Sequence, residues 1–190
     1  MTPEKAYELA LEEGPSDYTR EIACQEPDWA YYYARNVDKQ PRDDTREGAC
    51  REPKYAYYYA KDIDKQPRDD TRKAACKDPY YAYEYAVNVD KYPRNDTRAA
   101  VRKNPEHTYY YALDIDKGPR DDTRTATCKD PWYAFWYAKH VDKQPTKETW
   151  SVVKNTQYES DYVNWCMDKF GLHPEEYFSG IETLKAIVSI

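Results

Sequence analysis

The chain has 190 residues, and its 29 Lys and Arg against 35 Asp and Glu give a formal charge of −6. The two signs are interspersed, which argues against a basic nucleic-acid clamp and against an acidic DNA mimic. Val, Ile, Leu and Phe supply only 23 residues, but 22 Tyr and 5 Trp carry the missing apolar area, so a folded protein rather than a disordered one is expected.

In chain order, residues 1–14 predict an N-terminal cap helix that stops before Gly14-Pro15. A 26-residue period then begins, marked by Pro15, Pro41, Pro67, Pro93, Pro119 and Pro145. Residues 15–144 hold five full repeats. Residues 145–170 are a decayed sixth that keeps Pro145, Thr149 and Asp168-Lys169. Each repeat reads as two short helices. Asp43 or Asp69 is expected to cap the first, and Glu26, Glu52, Asp78, Asn104 and Asp130 precede a proline that opens the second. The second helix should run to an Asp-Lys pair, where Lys39, Lys65, Lys91, Lys117 and Lys143 meet the last carbonyls.

Helical spacing puts Ala56, Tyr59, Ala60 and Ile63 on one core-facing stripe, with Thr45, Gly48 and Ala49 as its counterpart on the first helix. One repeat cannot bury enough apolar surface to fold alone, so neighbours must stack. The expected fold is all-α: an α-solenoid of about six 26-residue helix-turn-helix repeats with helical N- and C-terminal caps. Residues 171–190 form the last cap. Their aliphatic end from Ile181 to Ile190 makes a homodimer through 172–190 a second use for this segment.

The rhythm Asp70-Thr71-Arg72, Ala74-Ala75-Cys76-Lys77, Pro79, Ala82, Tyr85-Ala86 and Val89 resembles the short two-helix tandem repeats of uncharacterised bacterial and phage proteins. The likeness covers residues 15–144. It departs in using Pro where those repeats tend to have Gly, and Tyr where they have Leu. It implies a repeat scaffold without enzymatic activity, and a phage accessory protein acting against a host defence.

The recurring Arg-Asp-Asp-Thr-Arg loop could bind phosphates, but the preferred reading is structural. Arg46, Arg72, Arg98 and Arg124 would pair with carboxylates such as Asp64, Asp90 and Asp116 of the same or the next repeat. Asp43/Asp44 and Asp62/Asp64 are read as solvated helix ends rather than acid–base pairs or calcium ligands. His107, His140 and His173 lack a metal-ligand spacing. Cys24, Cys50, Cys76 and Cys128 share one repeat position and read as small fillers. With no phosphate loop, nucleophile elbow or zinc motif, no enzyme, cofactor or metal is expected.

The functional lead is aromatic. Tyr32, Tyr58, Glu84, Tyr110 and Trp136 share a place opposite the core stripe, joined by Tyr80 and Trp132 one turn earlier and by Val87 and Leu113 one turn later. Such a row suits a protein partner, bound and blocked along one face. RNA or single-stranded DNA stacked on the rings is a second class, and a nucleotide or small-molecule sponge a third. No apolar run long enough for a membrane span, no signal peptide and widely spaced Cys point to a reducing, cytoplasmic setting without a membrane.

Overall fold

The computed structural model describes residues 1–188, and every regular element among them is helical. Helix α1 (Pro3–Glu13) starts at Thr2, whose side chain accepts the Lys5 N–H. The first helices of the six repeats are α2 (Asp17–Ala23), α4 (Asp43–Ala49), α6 (Asp69–Ala75), α8 (Asn95–Val101), α10 (Asp121–Thr127) and α12 (Lys147–Val153). The second helices are α3 (Pro27–Tyr32), α5 (Pro53–Tyr58), α7 (Pro79–Tyr85), α9 (Pro105–Tyr111) and α11 (Pro131–Tyr137). The chain ends in α13 (Glu159–Phe170) and α14 (Pro174–Val188). This is the α-solenoid repeat fold expected from the 26-residue period. The proposed dimerisation stretch from Ile181 lies mostly outside the residues whose side chains are described.

The residues group into two compact units, Met1–Val101 and Arg102–Ile190, with the boundary between α8 and α9 of the fourth repeat. Within the first unit, α3 packs on α4, α5 on α6 and α7 on α8, while α3, α5 and α7 lie side by side. Within the second, α9 packs on α10 and α11 on α12, with α9 beside α11. A second helix therefore packs more extensively on the first helix of the next repeat than on its own partner. The proline that separates two sequence repeats sits in the middle of a structural hairpin.

Each second helix does not stop as an α-helix. It widens into a π-helical turn at Tyr33–Asp38, Tyr59–Asp64, Ala86–Asp90, Ala112–Asp116 and Ala138–Asp142. Each turn ends at a lysine in the left-handed region, Lys39, Lys65, Lys91, Lys117 or Lys143, with φ between 54° and 62°. The widening has a geometric consequence. Residues five apart diverge by roughly 140° on an α-helix, whereas i→i+5 bonding brings them one turn apart on a shared face. Tyr59 and Asp64 thereby point at the same first helix.

There they close a buried polar lock. The Tyr59 hydroxyl lies 2.8 Å from Thr45 Oγ1, accepts the Arg42 N–H at 2.9 Å and lies 3.0 Å from the Arg42 carbonyl. The hydroxyl pair recurs as Tyr33–Thr19 at 2.8 Å, Tyr85–Thr71 at 2.9 Å and Tyr137–Thr123 at 2.7 Å. Even the decayed repeat keeps it, because Tyr162 of α13 reaches Thr149 at 2.8 Å. These contacts correct the capping expectation. The N-cap residues are Arg42 and Arg68, one place before Asp43 and Asp69, and a tyrosine from the second helix serves the backbone there. Asp43 is left to pair with Arg46 at 2.6 Å.

Second-helix caps follow side-chain length. Asp78, Asn104 and Asp130 accept first-turn N–H groups, whereas Glu26 and Glu52, one methylene longer, make no such bond.

Candidate functional site

The repeated arginines are structural in geometry. Arg46 donates through Nε and Nη2 to Asp64 at 2.8–3.1 Å, and both side chains are nearly fully buried. Arg20 grips Asp38, and Arg124 grips Asp142 at 2.7–3.1 Å, in the same fork geometry. The lock in the third repeat is rewired. Arg72 reaches Asp90 at 3.3 Å through Nη1 and turns its Nε to Asp96 of the next repeat at 2.8 Å, while Arg94 approaches Asp90 at 3.2 Å. Desolvation by burial pushes the Asp90 carboxyl above its ordinary range, against the pull of both guanidinium groups. Arg98 is buried and bonds Asn95 at 3.0 Å, and Asp116 is half-buried. The sixth repeat replaces the arginine by Trp150, whose ring packs 5.4 Å from Tyr162.

Cys24 and Cys166 are buried and Cys50 and Cys128 half-buried, and burial pushes all four thiols up to about 12, so they fill space rather than attack. Among the described residues no group of three His, Cys, Asp or Glu is placed to hold a metal ion, and no helix is long and apolar enough to cross a membrane.

The aromatic residues divide into two populations. Tyr31, Tyr57, Tyr109 and Phe135 are buried between neighbouring second helices, a layer the single core stripe did not contain. Tyr58 leans on Tyr31 of the preceding repeat, with ring centroids 6.0 Å apart. It is half-buried, as is Trp136, which stacks on His140 at 4.5 Å and meets Trp132 at 5.2 Å. Glu84 is half-buried too and accepts the Tyr57 hydroxyl at 3.1 Å; Val87 beside it is also half-buried. The expectation that Tyr58, Glu84, Val87 and Trp136 stand free in an outward row is therefore corrected. A helix inside an array has neighbours on two sides, so the positions flanking its core stripe are partly covered.

Of that row, the rings that remain exposed are Tyr32 and Tyr80 in the first unit, and Tyr110 and Trp132, with Leu113 also exposed, in the second; outside it Tyr18 and Tyr92 are exposed as well. Tyr32, Tyr80 and Trp132 are carried on helices with a locked base. Tyr32 touches Tyr31 at 5.2 Å, Tyr80 meets Tyr81 edge-on at 5.0 Å and Tyr110 lies 5.1 Å from Tyr109. Trp132 is flanked by Trp136 and, at 5.1 Å, by Tyr158.

Beneath the exposed rings runs a polar seam that sequence reasoning missed. The buried tyrosine of one second helix meets a side chain 31 residues later: Tyr31 donates to Asp62 at 2.6 Å, Asn88 donates to Tyr57 at 3.0 Å and Tyr109 bonds His140 Nδ1 at 3.0 Å. Tyr7 of α1 takes the tyrosine's part for the first repeat, accepting from Asn36 at 2.7 Å. The readable signal was that this position of the repeat differs between successive repeats, as Asn36, Asp62, Asn88, Asp114 and His140. Burial, then the positive charge of Lys139, hold the His140 imidazolium below its ordinary range, so the ring is neutral near pH 7.

Comparison of this chain with protein-family models, with curated proteins and with solved structures found no match in any of the three.

Proposed function

We propose that the chain is a non-catalytic scaffold that binds a protein partner through exposed aromatic side chains. The observation that carries this reading is the set Tyr32, Tyr80, Tyr110 and Trp132. These are large exposed rings on short helices, and buried hydrogen bonds fix the bases of the helices that carry Tyr32, Tyr80 and Trp132. Rigid Tyr and Trp offer wide contact area at low entropic cost, and their ordering is already complete before binding. Such a scaffold acts by occlusion. In the form suggested by the repeat resemblance, a phage-encoded factor would cover and silence a host protein in the cytoplasm. Arg20, Arg46 and Arg124 are enclosed with Asp38, Asp64 and Asp142, and the more exposed Arg42, Arg68 and Arg120 each lie beside an aspartate of their own motif, which favours a protein over RNA or single-stranded DNA.

The test replaces Tyr32, Tyr80, Tyr110 and Trp132 together by Ala and compares affinity capture from a cell extract with that of the parent chain. Loss of the captured band at an unchanged helical signal is expected. Unchanged capture would refute the aromatic surface, and a captured nucleic acid in place of a protein would move the chain to the second class.

A further inference from the structure

We infer that the aromatic row of the first unit is a relay for oxidising equivalents, in which Tyr31 and Tyr57 are the sites that hold a neutral tyrosyl radical. This activity goes beyond partner binding and does not depend on it.

The rings form one unbroken path. From α1 it runs from Tyr7 to Trp29, Tyr32 and Tyr31, with successive centroids 5.3, 6.0 and 5.2 Å apart. It crosses to the second repeat at Tyr58, 6.0 Å from Tyr31, and continues to Tyr57 at 5.1 Å. Tyr81 follows at 6.2 Å and Tyr80 at 5.0 Å. Every step falls within the range of direct aromatic contact, where an electron passes between π systems with no motion of the chain. The path is also chemically uniform. All three Phe of the chain, Phe135, Phe170 and Phe178, belong to the second unit, so every ring of the first is an oxidisable phenol or indole. Packing alone would be served as well by Phe.

A phenol gives up an electron readily only when its proton leaves at the same time, so a relay tyrosine needs a base at its hydroxyl. Both buried tyrosines have one. Tyr31 donates to Asp62 Oδ2 at 2.6 Å and Tyr57 to Glu84 Oε2 at 3.1 Å, each within reach for proton transfer. Each oxygen also accepts from cationic or amide groups that stay once the proton has left. These are Arg35 Nη1 at 2.8 Å on Tyr31, and Lys61 Nζ at 3.1 Å and Asn88 Nδ2 at 3.0 Å on Tyr57. Burial, then the adjacent carboxylate, pushes both phenols up, so each carries its proton at neutral pH and has one to give. Both rings are nearly fully buried, which keeps a radical on them from meeting a second one, while Tyr32 and Tyr80 are exposed and serve as points of entry.

The step balances as follows. A one-electron oxidant, a high-valent metal complex, takes an electron from an exposed ring. Tyr31 refills that ring through the path and passes its hydroxyl proton to Asp62. The products are the Tyr31 phenoxyl radical, the protonated Asp62 carboxyl and the reduced oxidant. An electron from a one-electron reductant, with the proton returned from Asp62, restores the phenol. Tyr57 and Glu84 act in the same way.

The test uses the full chain and ruthenium(III) tris-bipyridyl, made in solution by a laser flash with persulfate as electron acceptor. Transient absorption and electron paramagnetic resonance should show a phenoxyl radical in two fractions. The short-lived one comes from exposed rings that couple with one another, and the long-lived one from the buried pair. The long-lived fraction should form more slowly in D2O, because a proton moves with the electron. Tyr31→Phe with Tyr57→Phe should abolish it, and Tyr18→Phe, which removes an exposed ring outside the path, should leave it unchanged. Asp62→Asn with Glu84→Gln keeps both tyrosines and an acceptor oxygen for each, removes the bases, and should also abolish it at an unchanged helical signal. Tyr32→Phe with Tyr80→Phe closes the entries and should slow its formation. The relay is refuted by decay in a single short phase, by a long-lived signal that survives either the tyrosine or the carboxylate double variant, by equal rates in H2O and D2O, or by a formation rate indifferent to the entries. None of these results bears on partner capture, so the scaffold reading is tested separately.

Discussion

Tyr59→Phe is the sharpest probe of what holds the array together. The substitution keeps the ring and its burial and removes one oxygen. That oxygen is the partner of the Arg42 N–H and lies within hydrogen-bond distance of the Arg42 carbonyl and of Thr45 Oγ1. Thr45 retains the Arg42 carbonyl at 3.2 Å, but the Arg42 N–H has no other acceptor in the lock. An orphaned buried donor costs about 1–3 kcal/mol, and loss of the hydroxyl pair adds about 0.5–1.5 kcal/mol. The expected total is about 2–4 kcal/mol, read from urea unfolding followed by helical circular dichroism. Thr45→Val leaves the tyrosine on the Arg42 backbone and should cost about 1 kcal/mol. The double variant should fall short of the sum by about 1 kcal/mol, since the two hydroxyls share one bond. Hydrogen exchange at the Arg42 amide reports the same event locally. Tyr58→Phe, on the half-buried ring next door, is the control and should stay within about 0.5 kcal/mol. A Tyr59→Phe protein as stable as the parent, with the Arg42 amide still protected, would show that the buried hydroxyl does not organise the repeat.

Three further outcomes are expected. Asp64→Asn leaves the buried Arg46 fork half-neutralised and should cost about 3 kcal/mol, whereas Asp43→Asn, whose carboxylate is exposed, should cost under about 1 kcal/mol in the same assay. Because His140 is held below its ordinary range, the unfolded chain takes up the proton first as pH falls. Stability should therefore decline from about pH 6.5 downward until the folded-state value is passed, and His140→Asn should flatten that slope in urea titrations between about pH 7.5 and 5.5. Cys24, Cys50, Cys128 and Cys166, with thiols near 12, should resist an aromatic disulfide reagent at about pH 8 in the native protein and all react once it is unfolded.

The spacing of six prolines was enough to read the helix pairs and the stacking, because those depend on local backbone chemistry that each repeat states separately; the first-helix caps were read one residue late. The core stripe followed from helical periodicity: Ala56, Tyr59 and Ala60 are fully buried and Ile63 is half-buried. Two things were not readable in that way. One is the π turn, which changes the phase of the helix midway, so that a periodicity of 3.6 carried from Pro53 to Asp64 misplaces the aspartate. The other is the second buried face. Tyr31, Tyr57 and Tyr109 look outward on a helix with one neighbour and are enclosed on a helix with two. Both failures come from treating each helix as a surface helix with a single apolar stripe. The exposed set was correspondingly overdrawn: Tyr32, Tyr80, Tyr110, Leu113 and Trp132 are exposed, while Tyr58, Trp136, Glu84 and Val87 are half-buried, and Glu84 bonds Tyr57 of the seam.

The division between constant and variable positions has a physical rationale. Near-identical repeats can pair in the wrong order, because each lock of Thr, Tyr, Arg and Asp would accept any other repeat's helix equally well. The seam supplies the distinction that the lock lacks. Tyr31 needs an acceptor and finds Asp62; Tyr57 meets Asn88 and Glu84 together; Tyr109 meets the imidazole of His140. Shifting the array by one repeat would put Asn88 against Tyr31, which Arg35 already serves as a donor, and would take the acceptor away. Each such mismatch leaves a half-buried hydroxyl without its partner, a cost of about 1 kcal/mol or more per junction that rises with every repeat out of order. The lock thus makes the helices stack, and the seam tells a repeat from its immediate neighbours. The exposed Tyr32, Tyr80, Tyr110 and Trp132 serve neither task, and it is these that the proposed partner-binding role would use.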